Sequence, residues 1–253
     1  MKLKFDAVGK HQPDPYIIED NGKLYLYVTG PRGVEAYSAD DLFGVWHYEG
    51  IVASFDGRFE YWAPSVAKIN GRYYIYVSCS TDDEFEYMHG AVADSPLGPF
   101  TNPTCFYKRF SIDSHVVQTE SGLFLWYAED NTDCDRIGTR IYVDKLIDPL
   151  TPAGQPREMI VPTMDEEIFK RNRFGDGRDW HTLEGAFWFR EGDWQYVMYS
   201  GGCFENDSYH IGYAAAQQNA PQHLHTLSTC RHRYGLSYYS PNVLTVLSTA
   251  FTL

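Results

Sequence analysis

The chain has no apolar run that approaches the ~20 residues needed to cross a bilayer. Its first six residues contain no apolar segment of the kind that begins a secretory signal. It also lacks a C-x-x-C pair, so a zinc knuckle or a dithiol redox motif is not expected. The five cysteines are odd in number and widely scattered: Cys79, Cys105, Cys134, Cys203 and Cys230. These absences predict a cytoplasmic protein with reduced thiols and no membrane partner.

Basic residues are few compared with acidic ones. The 253 residues include 21 Lys and Arg against 34 Asp and Glu, which gives a formal net charge of −13. Such a surface repels a phosphate backbone, so we expect no binding to nucleic acid. Helical patterns are scarce as well, and only Asp165 to Arg171 favours one or two helical turns.

A hairpin pattern recurs four times along the chain. In each copy two alternating apolar runs flank a polar turn that contains a glycine: Gly22, Gly71, Gly122 and Gly192. The first two turns read Asn-Gly, the strongest short hairpin signal. Each copy is followed by another extended segment, so the unit is roughly 50 residues of antiparallel strands, typical of a β-propeller blade. A β-sandwich with similar strand spacing is the alternative, and the detailed repetition favours the propeller.

Acidic residues precede three of the four turn glycines by eight or nine positions. They are Asp14, Asp113 and Glu184, and the second copy has Ala63 in that place. If the copies are blades, radial symmetry brings the three carboxylates together at one end of the central axis. A single acid at a strand start is more often a turn former or a solvated charge, but three in register favour a site.

Three clustered carboxylates fit the hydrolysis of glycosidic bonds with inversion. One carboxylate activates a water molecule and one carboxylic acid protonates the leaving oxygen. A third carboxylate raises the pKa of the acid by like-charge repulsion and keeps it protonated near neutral pH.

The hairpin geometry also predicts the wall of the pocket. Segments that follow the second strands should form the rim: residues 30–33, 80–87, 130–136 and 201–207. Arg32 lies in the first of them and is a candidate for binding substrate. Trp62 stands directly before the second entrance, where it is placed to stack on a sugar ring, although core packing is an equally common role for such a tryptophan.

The C-terminal part departs from this pattern. From Gln217 to Leu253 there is no Asp, Glu or Lys, and no copy of the hairpin appears. We therefore divide the chain into residues 1–216, a propeller domain with four recognisable blades, and residues 217–253, a tail that is a candidate remnant of a fifth blade.

Several of these segments together resemble glycoside hydrolase family 43. The resemblance is carried by Asp14-Pro15, Trp62-Ala63-Pro64-Ser65-Val66, Ala93-Asp94-Ser95-Pro96-Leu97-Gly98-Pro99-Phe100, Ile112-Asp113 and Glu184-Gly185-Ala186. It implies an all-β, five-bladed β-propeller whose fifth blade is incomplete or strongly diverged here. It also implies an inverting α-L-arabinofuranosidase or β-xylosidase acting on arabinose- or xylose-containing oligosaccharides.

The resemblance implies a role for each acid. Asp14 would be the general base, Glu184 the general acid, and Asp113 the carboxylate that tunes and orients the acid. His115 and His181 stand beside these positions, and each is either a ligand of the substrate or carboxylates or a structural histidine.

The unmatched tail leaves a second hypothesis open. Because it does not match a fifth blade, a non-catalytic carbohydrate-binding propeller competes with the enzyme, and an exposed sheet edge would allow an oligomer. No cofactor is required by the predicted chemistry. The acidic loop from Asp130 to Asp135 lacks the spacing of a calcium loop, so a structural calcium ion is compatible with the family but not indicated.

Overall fold

The computed structural model describes residues 3–7, 13–81 and 85–217, and these residues are almost wholly β-structure. The strands form four antiparallel units in chain order, which we call blades 1 to 4. Blade 1 contains β1 (Lys4–Phe5), β2 (Tyr16–Asp20), β3 (Lys23–Val28), β4 (Val34–Ala39) and β5 (Val45–Ala53). The short β1 lies parallel to β5 at the outer edge, and the sheet order is β1-β5-β4-β3-β2.

Blade 2 is a four-stranded meander. It contains β6 (Phe59–Ile69), β7 (Arg72–Ser80), β8 (Glu86–Ala93) and β9 (Thr101–Cys105). Blade 3 contains β10 (Ser111–Thr119), β11 (Gly122–Asn131), β12 (Gly138–Asp148), β13 (Thr151–Pro152) and β14 (Arg157–Ile160). The short strands β13 and β14 both pair with β12, so this blade is widened at its outer side.

Blade 4 follows an insertion. The insertion carries a 3-10 turn, η1 (Asp165–Glu167), and β15 (Ile168–Lys170). The blade itself is formed by β16 (Trp180–Glu191), β17 (Trp194–Gly201) and β18 (His210–Gln217). The predicted helix at Asp165 to Arg171 is therefore wrong beyond Glu167. The chain becomes extended at Ile168 because β15 pairs with the start of β16.

Apolar clusters lie between successive blades, which is the packing of a propeller and not of a sandwich with one core between two sheets. Tyr27 and Ala36 of blade 1 pack with Ile75 of blade 2. The next two clusters are built in the same way, from Tyr76, Met88, Leu125 and Tyr127 between blades 2 and 3, and from Trp126, Ile141, Val197 and Tyr199 between blades 3 and 4. The predicted all-β propeller fold is confirmed, and the count of five blades stays a prediction.

The Asn-Gly turns behave as the sequence predicts. Asn21 and Gly22 have φ of 53° and 76°, and Asn70 and Gly71 have φ of 51° and 80°. Two successive residues with positive φ define the type I′ turn, whose twist matches that of the flanking strands. These turns lie at the end of the propeller opposite the predicted carboxylate site.

The predicted division of the chain at residue 217 falls at the edge of the described part. Gln217 is the last residue of β18, and residues 218–253 lie outside the described residues. Within the described ranges no helix is long and apolar enough to span a membrane.

Blades 3 and 4 are joined by a short parallel pairing between β12 and β16. Gly138 pairs with His181 and Thr139 with Thr182. Gly138 has φ of 138°, and a Cβ atom placed there would lie 1.9 Å from the carbonyl oxygen of His181. Only glycine lets the two backbones approach this closely.

We expect Gly138→Ala to destabilise the protein more than a matched glycine substitution, because the joint between blades 3 and 4 must open. Gly175→Ala is the control: Gly175 has φ of 75° but nothing lies within 4 Å of its Cβ position. The control should lower the free energy of unfolding by roughly 1–3 kcal/mol from backbone strain alone. Denaturant unfolding measures both variants, and equal losses would contradict the importance of the joint.

Candidate active site

The first strand of each blade has an irregular start. In β6, β10 and β16 the pairing skips two residues, namely Ala63-Pro64, Asp113-Ser114 and Gly185-Ala186. In blade 1 the corresponding dipeptide, Asp14-Pro15, directly precedes β2. The first residue of each dipeptide is left-handed, with φ of 53° at Asp14, 43° at Ala63, 59° at Asp113 and 64° at Gly185. Such bulges bend the strand and redirect its side chains.

The structurally equivalent positions differ from the predicted ones in blade 4. The last paired residue before each turn is, in chain order, Asp20, Ile69, Thr119 and Glu191. The residue six positions before each of these is, in the same order, Asp14, Ala63, Asp113 and Gly185. Glu184 stands one residue before this series. The error arises because the turn glycines are not equivalent: Gly192 is the first residue of its turn, whereas Gly22 is the second.

A direct hydrogen bond nevertheless links Asp113 to the Glu184 region. The N–H of Gly185 donates to Oδ2 of Asp113 at 2.8 Å. This bond crosses from blade 3 to blade 4 and holds the backbone beside Glu184. The structure thus brings together the carboxyl groups of Asp113 and Glu184, and the charge of Asp14 acts on both of them.

Asp14 is exposed and Asp113 and Glu184 are half-buried, so water reaches all three carboxyl groups. Burial raises the pKa of Asp113 well above its usual range, and the charges of Glu184 and Asp14 add to this rise. Burial, supported by the charge of Asp14, raises the pKa of Glu184 to about 7. Burial also raises the pKa of Asp14, which receives no such addition from the other two acids.

Two hydroxyl groups, those of Thr29 and Tyr209, donate hydrogen bonds to Asp14 and Glu184. Thr29 Oγ1 donates to Oδ2 of Asp14 at 2.7 Å and accepts the N–H of Ala63 at 2.9 Å. Tyr209 Oη donates to Oε1 of Glu184 at 2.7 Å. Both bonds favour the ionised carboxylate and lower its pKa, so they oppose the effect of burial. Because Oε1 of Glu184 accepts from Tyr209, the acidic proton is left to Oε2.

Trp62 and Arg32 lie where the sequence places the rim. Trp62 precedes the bulge of β6, and 36% of its surface is exposed, so part of the indole is available to a ligand. Arg32 is exposed in the connection from β3 to β4. Its backbone carbonyl accepts from Ser54, and its guanidinium forms no ion pair within the described residues.

The two histidines are bound to protein groups on both ring nitrogens. Nε2 of His115 lies 2.9 Å from the carbonyl oxygen of Trp188 and must donate to it, so Nδ1 accepts from Tyr16 Oη at 3.1 Å. Burial lowers the pKa of His115 to about 4. Its ring also packs on Phe187. Of the two roles expected for His115, these contacts favour the structural one.

His181 is held in the same manner. Its Nδ1 lies 3.3 Å from the carbonyl oxygen of Ile137, and its Nε2 lies 3.0 Å from NH1 of Arg136. The side chain is 4% exposed. His181 therefore ties β16 to the segment before β12, and a role in contact with substrate has no support from its geometry.

Sequence reasoning missed Thr29 and Tyr209. The sequence contains a signal for Thr29, since the predicted hairpin places the end of β3 opposite Asp14. The structure has this arrangement, and the N–H of Thr29 donates to the carbonyl of Pro13. Tyr209 lies just beyond the predicted rim segment 201–207, in the connection to β18, and no pattern marked it. Among the described residues no group of three or more His, Cys, Asp or Glu side chains is arranged to hold a metal ion.

Comparisons with known proteins agree with this architecture. The model of the family "Glycosyl hydrolases family 43" matches residues 8–232. A probable arabinan endo-1,5-alpha-L-arabinosidase A of Aspergillus flavus is 25% identical over 201 residues, which cover 75% of this chain and 57% of that protein. The chain thus spans less than two thirds of that relative's length.

Two further similarities are of the same kind. The extracellular exo-alpha-(1->5)-L-arabinofuranosidase ArbA of Cellvibrio japonicus is 26% identical over 235 residues, covering 81% of this chain and 64% of that protein. The crystal structure of a thermostable family-43 glycoside hydrolase superposes with a TM-score of 0.71 at 27% identity, covering 87% of this chain and 73% of that one. With the family model spanning most of the sequence, the chain belongs to glycosyl hydrolases family 43.

Proposed function

We propose that the protein is an inverting glycosidase that hydrolyses bonds to arabinofuranosyl or xylosyl residues in plant-type glycans. The observation that carries the proposal is the unequal environment of Asp14 and Glu184. Two carboxyls whose surroundings separate their pKa values can serve as base and acid in one reaction. The names of the relatives, an arabinan endo-arabinosidase and an exo-arabinofuranosidase, support a pentosyl substrate.

In the proposed mechanism Asp14 is ionised and removes a proton from the attacking water. Glu184 is protonated and passes the proton on Oε2 to the leaving oxygen, as the Tyr209 hydroxyl occupies Oε1. Asp113 positions the acid, because its Oδ2 accepts the N–H of Gly185. Inversion requires the water and the leaving group to lie on opposite faces of the sugar. The anomeric form of the first product, observed by NMR, tests this stereochemistry directly.

We expect Glu184→Gln to lower kcat on arabinan-derived oligosaccharides by roughly 10²–10⁴-fold, the usual contribution of a general acid. The loss should be much smaller on a dinitrophenyl arabinofuranoside, whose leaving group needs no protonation. Glu191→Gln is the control: Glu191 is exposed at the opposite end of the same strand and should have no effect. If the Glu184 variant hydrolysed both substrates at the wild-type rate, the result would falsify the assignment of the acid.

Tyr209→Phe should move the alkaline limb of the pH profile of kcat/KM upward. The wild-type limb is expected near the pKa of about 7 of Glu184, since activity is lost as the acid deprotonates. The Tyr209 hydroxyl lowers that pKa by donating to the carboxylate, so its removal raises the pKa. The profile is measured with a natural oligosaccharide, and a limb that stays in place or moves downward would contradict this arrangement.

Thr29→Val should move the other limb. The Thr29 hydroxyl lowers the pKa of Asp14, so its loss raises the pH at which the base becomes ionised and shifts the acidic limb upward. Thr29→Ser, which keeps the hydroxyl, is the control and should retain the wild-type acidic limb. If Thr29→Val moves the alkaline limb instead, the roles of Asp14 and Glu184 are exchanged.

A further inference from the structure

A group of aromatic side chains outside the carboxyl site lies on the insertion between blades 3 and 4 and beside it. We define the aromatic platform as Phe169, Phe174, Trp180 and Phe204. Phe174 is 59% exposed and Phe204 44% exposed. The rings of Phe169 and Phe204 are 5.8 Å apart, and Phe174 stands edge-on to Trp180 at 5.5 Å. The platform is therefore open to solvent at Phe174 and Phe204, whereas Trp180 is buried beneath it.

Arg173 is held over this platform by cation–π contacts. Its guanidinium carbon lies 4.7 Å from the centre of the Trp180 ring, 5.5 Å from that of Phe169 and 5.7 Å from that of Phe174. Within the described part of the chain it forms no ion pair and no hydrogen bond, although acidic residues far outnumber basic ones. Three rings thus orient a guanidinium whose N–H donors stay available to a ligand.

The platform lies at the same end of the propeller as the three carboxyls. Trp180 is four residues before Glu184 on β16, which corresponds to about 13 Å along an extended strand. Phe204 follows β17, whose last residue, Gly201, pairs with Leu183. Arg173 is also near the rim, because its charge acts on Asp130, in the predicted rim segment 130–136. Burial raises the pKa of Asp130, and the charge of Arg173 opposes part of this rise. A ligand that extends from Glu184 along this surface would reach the platform.

The exposed rings of Phe174 and Phe204, beside a guanidinium that has no hydrogen-bond partner among the described residues, suit a ligand that has both a C–H face and hydroxyl groups. A sugar ring has this combination. We propose that the aromatic platform and Arg173 form a second sugar-binding subsite, which holds another sugar residue of the glycan whose bond is cleaved at Glu184. The identity of the ligand as a glycan rests on the proposed function. The distance to Glu184 is too long for one sugar ring to occupy both places, so the subsite selects chains over short substrates.

The test compares substrates of different length. Nitrophenyl arabinofuranoside fills only the carboxyl site, whereas arabinan-derived oligosaccharides from disaccharide to hexasaccharide extend progressively toward the platform. For wild-type protein, kcat/KM should rise with length. Phe174→Ala and Arg173→Gln should each lower kcat/KM for the longest chains roughly tenfold through KM, the effect of losing about 1.4 kcal/mol of binding. Both variants should hydrolyse the nitrophenyl substrate as the wild type does.

Phe43→Ala is the matched control. Phe43 is 54% exposed in the turn between β4 and β5, at the opposite end of the propeller, and its loss should leave the whole length series unchanged. The same length dependence in wild type and both platform variants would overturn the proposal. So would a Phe174→Ala variant that alters only the oligomeric state in sedimentation, since the platform would then be a contact between copies.

Binding measurements separate this proposal from the proposed function. Calorimetry with the arabinan- and xylan-derived series reports on the platform whether or not the substrate is cleaved. Affinity that rises with length and falls in Phe174→Ala, without any turnover, supports the subsite and rejects the glycosidase. Binding that is insensitive to Phe174 and Arg173, or absent for every chain, rejects the subsite even when the nitrophenyl substrate is hydrolysed.

Discussion

The left-handed residue at the start of each inner strand is the constraint on which the site depends. It bends the chain at this point, and the site acid is either the left-handed residue itself, as at Asp14 and Asp113, or its neighbour, as at Glu184 beside Gly185. Asp and Gly adopt this conformation more readily than other residues. Ala63 adopts it without that advantage, at a cost of about 1–3 kcal/mol. Its N–H bonds to Thr29 Oγ1, so the strained residue is also part of the support for Asp14.

The same backbone constraint shapes the electrostatics of the site. The left-handed Gly185 presents its N–H to Asp113, so blade 3 holds the residue next to Glu184 from across the blade boundary. Burial and the charge of Glu184 both raise the pKa of Asp113, so the two acids are not both ionised without a cost in free energy. Tyr209 and Thr29 then act on different acids, one on Glu184 and the other on Asp14. Because both hydrogen bonds lower a pKa, the difference between the two acids arises elsewhere: the charge of Asp14 adds to the effect of burial on Glu184, and Asp14 receives no such addition.

What could be predicted from the sequence was mainly local. The hairpins and their Asn-Gly turns follow from alternation and turn chemistry within a few residues, and the three acids follow from the repetition of that unit. The one-residue error at Glu184 has a physical cause, because the turn glycines occupy different turn positions and the bulge, not the glycine, sets the register. The expected helix is replaced by β15 in the insertion, because pairing with β16 provides hydrogen-bond partners for the backbone of this segment.

Contacts between distant strands could not be predicted in this way. The partners of His115 are Tyr16 and Trp188, which lie 99 and 73 residues away, so its role depends on how the blades assemble.

The insertion and the candidate acid, Glu184, are both attached to strand β16. β15 pairs with β16 at His181, the same residue that meets Gly138 in the joint of blades 3 and 4 and is bonded to Arg136. Arg136 also pairs with Asp165 at the start of η1, an exposed contact of small energetic value on its own. The position of the insertion is thus set by backbone pairing to the strand that carries Glu184. Phe169 on β15 and Trp180 on β16 are therefore held at a distance from Glu184 that strand pairing sets, whereas Arg173 and Phe174 lie in the connection between these two strands.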